Sequence, residues 1–352
     1  MMRCLRWSAV SRWHGQQRAI TVAAYQTGPR DTTGLRVTRP KSPYIEWLNN
    51  VGTKASWSVQ NIPSPSGGGL LDSVSCTVAS VCTAVGFSGT EQGTLGERWN
   101  GTFWAIQSIP NPSGALKVDL SGVSCTSASA CTAVGSEQTS SNQFTLAGRW
   151  NGRAWTIQGT PNPPGSTNSE LMALSCSSAS ACTAVGFSDT STLAEEWNGT
   201  AWTIQGTPKP SGSTNSELDG VSCSSASACT AVGWYQTSTG QFGLAERWTG
   251  AAWTIQSTPL PGAGDSPTLL GVSCISASAC TAVGDYQTSS DEFTLAERWN
   301  GTACKIQSTP KPSGSSASEL DGAFCSSAST CTAVGWYTSH NQEVPLAEKE
   351  SG

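Results

Sequence analysis

Charge is scarce in this sequence: only 12% of its residues are Asp, Glu, Lys or Arg, with two histidines and three methionines among 352 residues. Long surface helices need Glu, Lys and Arg on their exposed faces, so this poverty argues against a helical bundle and for short strands joined by many turns. No run of eighteen apolar residues exists, so no membrane span is expected. With only His14 and His340 to supplement thiolates, a zinc centre lacks ligands. No Ser-His-Asp grouping, phosphate loop or metal motif occurs, and no cofactor is expected.

The little charge present is unevenly spread. Residues 1–41 hold eight Lys and Arg and one acid, which leaves 11 basic and 23 acidic residues, a net of −12, for residues 42–352. An acidic body repels phosphate backbones, so no nucleic-acid partner is expected. Residues 1–43 read as an atypical basic segment, disordered or from a mis-set start. Between Met1 and Ile20 arginines are scattered and no apolar leader core appears. The true start lies upstream, the chain is a fragment, or export takes another route.

What is plentiful is Gly, Pro, Trp and cysteine, and the cysteines are periodic. Twelve of the fourteen form six pairs of one spacing: Cys76 with Cys82, Cys125 with Cys131, Cys176 with Cys182, Cys223 with Cys229, Cys274 with Cys280 and Cys325 with Cys331. Regular pairing reads as a disulfide framework, which persists in oxidising compartments and places the protein outside the cell or on its surface. The first cysteines of successive pairs lie 49, 51, 47, 51 and 51 residues apart, which defines a repeat.

Two blocks make up the repeat, SCxSASxCTAVG and LAERWNGTAWTIQ, and each reads as a β-hairpin. In the first, Gly220–Cys223 and Cys229–Gly233 flank a Ser/Ala loop and bring the two cysteines face to face. A bridge across so short a loop contributes roughly 2 kcal/mol. It reads as a staple on its own hairpin, not as a tie between blades. The second block centres on Asn-Gly, at Asn100, Asn151, Asn198 and Asn300, with Thr249 as a variant. Read as a two-residue type I′ turn, it pairs Trp99 with Thr102 and puts Trp104 one step along the same face. Asn-Gly-Thr also matches a glycosylation sequon at Asn100, Asn198 and Asn300, but its recurrence at a turn favours the structural reading. The Pro-rich stretch Thr207–Glu217 reads as the linker to the next unit.

Two hairpins make a four-stranded blade. The expected fold is all-β, a β-propeller of six four-stranded blades over residues 44–349, with one disulfide inside a hairpin of each blade and residues 350–352 as a tail. Six tryptophan hairpins are counted if Trp47…Trp57 and Trp299…Cys304 are admitted. The N-terminal half-blade would then join the C-terminal one to close the ring. Seven blades is the alternative, because Ile20–Thr27 echoes Thr230–Thr237. Cys4 and Cys304 stand outside the pattern, either bridged or present by chance substitution.

The paired blocks resemble those of secreted repeat proteins common in actinobacteria and related soil bacteria. More distantly they are similar to kelch and sialidase-type (BNR) propeller repeats. The sialidase Asp-box is not reproduced, since Trp-Asn-Gly-Thr-x-Trp stands at the equivalent turn. The resemblance implies propeller architecture and carries over no catalytic residue.

Function is expected to reside where the repeats differ. Glu97, Glu195, Glu246, Glu297 and Glu348 recur at one strand position, and with Arg98, Arg149, Arg247 and Arg298 they read as blade-packing residues, since one active site needs no copy in every blade. Glu137, Asp189, Asp265, Asp285, Asp291 and Glu292 break the pattern, but nothing pairs two of them for glycoside hydrolysis. The chain is expected to bind, as a monomer, and not to catalyse. Loops within hairpins open on one face of the disc; the loops between hairpins and the linkers open on the other and carry the variation. Directly after AVG, on that second face, come Phe87, Phe187, Trp234, Tyr235, Asp285, Tyr286, Trp336 and Tyr337. Aromatic and Asp side chains suit sugar rings, so a carbohydrate or cell-surface ligand is expected there, with a protein partner as the alternative.

Overall fold

A computed structural model describes residues 60–89, 93–340 and 342–350. They form six antiparallel sheets arranged as the blades of a β-propeller, spanning 69–107, 117–158, 169–205, 215–256, 266–307 and 318–349. The first five blades have four strands in sequential order, and the sixth has three among the described residues. The fourth blade is representative: Asn215–Ser225 is innermost, followed outward by Ala228–Thr237, Gly240–Trp248 and Trp253–Gln256. Trp47, Trp57, Cys4, the echo at Ile20–Thr27 and the segment 1–43 lie outside the described residues. Among the described residues no helix is long and apolar enough to cross a membrane.

All six cysteine pairs are bridged. Cys76 is joined to Cys82, Cys125 to Cys131, Cys176 to Cys182, Cys223 to Cys229, Cys274 to Cys280 and Cys325 to Cys331. Cys304 is a free thiol. Each bridge joins directly opposed residues, as in Cys223↔Cys229.

Each bridge stays within its own hairpin, as the sequence reading has it, and its second sulfur also packs at the junction with the neighbouring blade. Cys82, Cys182 and Cys331 are buried, and Cys82 packs with Val74, Ala84 and Trp104. A threonine of the neighbouring blade meets the second sulfur at most junctions. Thr132 Oγ1 lies 3.8 Å from Cys182 Sγ, and Thr281 Oγ1 lies 3.4 Å from Cys331 Sγ. Thr83 and Thr230 stand likewise against Cys131 and Cys280, at 3.6 and 3.5 Å. The covalent link stays within a blade, but its second sulfur faces the preceding sheet because the strand pair that it closes is packed there.

In the tryptophan hairpins the turn lies one residue later than in the sequence reading, which moves the cross-strand partner by two. Trp99 is opposite Trp104, not Thr102. Only the glycine takes positive φ (95° at Gly101), so Gly101 and Thr102 are the central pair, in the pattern of a type II′ turn rather than I′. Asn100 stands just before the turn, where its Oδ1 accepts the N–H groups of Thr102 and Phe103 at 2.9 and 3.0 Å. The shift brings the two indoles directly across from one another, with ring centroids 5.8–6.0 Å apart in four blades.

The repeated residues lock neighbouring blades together. An innermost strand has backbone donors with no partner in its own sheet. At five successive junctions the serine before cysteine supplies one: Ser75 Oγ accepts Cys125 N–H at 2.9 Å, and Ser124, Ser175, Ser222 and Ser273 do the same for the blade that follows. Outer indoles reach back, as Trp202 Nε1 donates to Gln158 and Trp253 Nε1 to Gln205. The AVG glycine has its own cause. Each innermost strand bulges opposite it, and a Cβ on Gly233 would stand 2.0 Å from the Glu217 carbonyl oxygen.

The recurrent glutamates are buried in these junctions, with Glu97, Glu195, Glu246 and Glu297 at most 1% exposed. Burial pushes their carboxyls up, to about 7 for Glu97 and about 8 for the other three. Between the fifth and sixth blades, Thr294 Oγ1 donates to Glu348 Oε1 at 3.3 Å.

Candidate functional site

The innermost strands start earlier than the sequence reading allowed. In the fourth blade the strand begins at Asn215, so Asn215–Glu217 belong to it and not to a linker. This correction places side chains from the strand start beside the residues that follow AVG, at the end of each blade where the variable loops emerge.

The eight expected residues do not share one surface. Phe87, Phe187, Trp234, Asp285 and Trp336 occupy the first position after the glycine, and strand alternation sends them to one side of the blade. Tyr235, Tyr286 and Tyr337 take the next position and the other side. Tyr235 stacks on Phe242 at 5.3 Å and Tyr286 on Phe293 at 5.2 Å, both against the packed interior. Tyr337 stands opposite Ser318 and Val344.

Two different settings surround the first-position residues. Between the first and second blades is a groove of about 590 Å³, lined by Phe87, Ser88, Leu116, Lys117, Gln138 and Thr139 among others. Phe87 is half-buried there, with the Lys117 ammonium 5.7 Å from its ring centre, and Leu116 is 61% exposed. Hydroxyls, an amide and an ammonium around an aromatic ring form a set of donors and acceptors over a flat apolar floor.

Farther round the disc the setting is acidic. Phe187 is opposite Glu170, Trp234 opposite Glu217 and Trp336 opposite Glu319. Asp219, at the bulge of the fourth blade, is 6% exposed, with the Glu217 carboxyl nearby. Burial first, and then Glu217, Glu319 and Asp285 nearby, hold its carboxyl well above the usual range. Asp285 is raised by burial and by Glu319, Glu292 and Asp321, and Glu217 is pushed up to about 7, chiefly by burial. Glu170 accepts from Ser121 at 2.9 Å and from Gln143 at 2.7 Å. Sequence reading missed these acids because SELDG and SELMA resemble linker ends. Among the described residues no cluster of this kind is arranged to hold a metal ion.

The pattern-breaking carboxylates separate. Asp189 Oδ1 accepts the Thr167 and Asn168 N–H groups at 3.2 and 3.1 Å, and Asp291 pairs with Lys311 at 3.0 Å. Asp265 closes on its own linker, its N–H donating to the Gly262 carbonyl. Burial raises Glu137. Glu292 lies close enough to Asp285 to raise its carboxyl.

No family model matches this chain, and no curated protein is similar to it in sequence. Solved structures share its fold. A GH74 xyloglucanase from Xanthomonas campestris is 12% identical, with 77% of this chain and 42% of that one covered and a TM-score of 0.51. A fungal lectin from Aleuria aurantia, described as a six-bladed β-propeller with a novel fucose recognition mode, is 13% identical, with 80% and 92% covered and a TM-score of 0.48. A Dyadobacter fermentans protein of unknown function is 10% identical, with 82% and 93% covered and a TM-score of 0.48. At such identities the likeness is one of fold, and by its fold this chain is a six-bladed β-propeller with one disulfide in every blade.

Proposed function

We propose that the protein is a non-catalytic, extracellular or cell-surface binding propeller that recognises carbohydrate on its variable-loop face. The observation that carries this reading is the groove between the first two blades, where Phe87 offers a ring for a sugar to stack on. Ser88, Gln138 and Thr139 would take its hydroxyls, and flexible Lys117 would swing off the ring to join them. Six disulfides support an oxidising setting.

Binding of oxidised protein to insoluble cell-wall and plant polysaccharides tests the reading, with a reduced sample as control. Retention that reduction abolishes is expected. No retention on any polymer would overturn it in favour of a protein partner. Asp219 and Asp285, with Glu319 nearby, favour one second reading, a glycosidase, because burial raises the carboxyls of Asp219 and Asp285 and a carboxyl raised in this way can act as an acid. Release of reducing sugar from the same polymers would establish it.

A further inference from the structure

At three junctions the chain fills one external site with its own guanidinium. Arg98, Arg149 and Arg247 each reach to the following blade, where they lie over Trp150, Trp197 and Trp299 at 5.1, 4.6 and 4.9 Å. Each also donates from Nη2 to a carbonyl in that blade's disulfide hairpin, of Ala128, Ala179 and Ala277 respectively. The site thus has a fixed composition: an indole face for the planar cation and a carbonyl oxygen for its N–H groups. Covered in this way, the three indoles are 5–9% exposed.

The junction between the third and fourth blades departs from this. Glu196 pairs with Thr183 as Arg149 pairs with Thr132 and Arg247 with Thr230, so a carboxylate replaces the guanidinium at the same register. Its side chain has two heavy atoms fewer than that of arginine and carries no guanidinium to lay over the facing indole. The facing indole, Trp248, is partly exposed, and Ala226, at the hairpin position of Ala128, Ala179 and Ala277, is exposed. Among the described residues no cation lies over Trp248.

The carboxylate is also held in place. Trp253 Nε1 donates to Gln205 Oε1 at 2.8 Å, and Gln205 Nε2 donates to Glu196 Oε2 at 2.9 Å. Both Trp253 and Gln205 are buried. Glu196 Oε1 takes no part in this chain of bonds.

We propose that this junction binds an exogenous guanidinium, the side chain of an arginine carried by a protein partner, between the Trp248 ring, the Ala226 carbonyl and the Glu196 carboxylate. The sister junctions give the geometry of the first two contacts, and Glu196 adds a charge-assisted partner that they lack. The site is on the hairpin face of the disc, away from the groove at Phe87, so it is independent of carbohydrate binding.

The test follows indole N–H resonances of the oxidised protein while N-acetyl-arginine amide is added, with the citrulline and lysine amides in parallel. The Trp248 signal is identified by its loss in Trp248→Phe. A saturable shift of that signal with the arginine compound, at least about tenfold weaker with neutral citrulline and weaker with lysine, is expected. Glu196→Arg should fill the site as Arg149 and Arg247 fill theirs, abolishing the shift while the remaining spectrum stays folded. No saturable shift, equal response to citrulline, or undiminished binding by Glu196→Arg would overturn the proposal.

Discussion

The two faces of this disc are built from the same strands and have diverged in opposite ways. On the hairpin face, the bridge recurs in every blade and the arginine clamp at three junctions, with Glu196 as a departure. On the loop face, the strand ends carry Phe, Ser, Trp or Asp at equivalent positions, and the loops and linkers differ in length. The contrast follows from packing. Near the hairpins, cysteine, serine, arginine and indole are committed to the neighbouring blade, so a change in one copy disturbs two sheets. Beyond the AVG glycine the first-position side chains emerge at the strand ends, and their identity changes from blade to blade.

The largest effect that would sharpen this contrast is pH dependence. Glu97, Glu195, Glu246 and Glu297 have folded pKa values of about 7 to 8 against an ordinary 4.5. Unfolded chains release these protons near pH 4.5, whereas the folded protein holds them until about pH 7 to 8. Their contribution is therefore fully present below pH 4.5, falls as pH rises through 8, and then levels off. Melting temperature should drop between pH 5 and 8, by roughly several kcal/mol of stability in all. Glu246→Gln should make the drop shallower and raise stability at pH 8; an unchanged slope would remove this carboxyl from the account.

A glycine pair sets a packed strand beside a linker of the loop face. Gly233→Ala drives a methyl into the Glu217 carbonyl and should cost about 3 kcal/mol or more in urea unfolding. Gly206→Ala, in a linker on the loop face with nothing within 4 Å, should change stability by less than about 0.5 kcal/mol. Equal costs would break the comparison. A smaller loss, about 1–2 kcal/mol, is expected from Ser175→Ala, which leaves the Cys223 N–H without its acceptor. The smallest stability effect belongs to Lys117→Ala, which removes one of the groups expected to take the sugar hydroxyls and should weaken retention on polysaccharide while leaving the melting temperature unchanged.

Much of the hairpin face was legible because its chemistry recurs: six cysteine pairs at one spacing fixed the repeat, and the repeat fixed the blade. What the spacing could not show is the contact of Cys182 and Cys331 with threonines of the blade before, since those partners lie a whole repeat away. The turn was misread by one residue because Asn100 supports it through its side chain, while positive φ falls only on Gly101. The loop face was legible in part. First-position and second-position aromatics could have been separated by strand alternation, which sends Trp234 and Tyr235 to opposite sides. The acids Glu170, Glu217 and Glu319 stayed hidden because polar residues at a strand start look like linker, and only strand pairing sets them against Phe187, Trp234 and Trp336. The groove joins residues from two blades, a juxtaposition that no spacing within a single repeat reveals.

The most direct test of the central claim compares two phenylalanines, one on each face. Phe87 lines the groove, and Phe103 projects from a tryptophan hairpin at 57% exposure. Retention on polysaccharide should be lost in Phe87→Ala and kept in Phe103→Ala, with both variants folded. Retention that survives Phe87→Ala, or depends on Phe103, would contradict a ligand site on the variable-loop face.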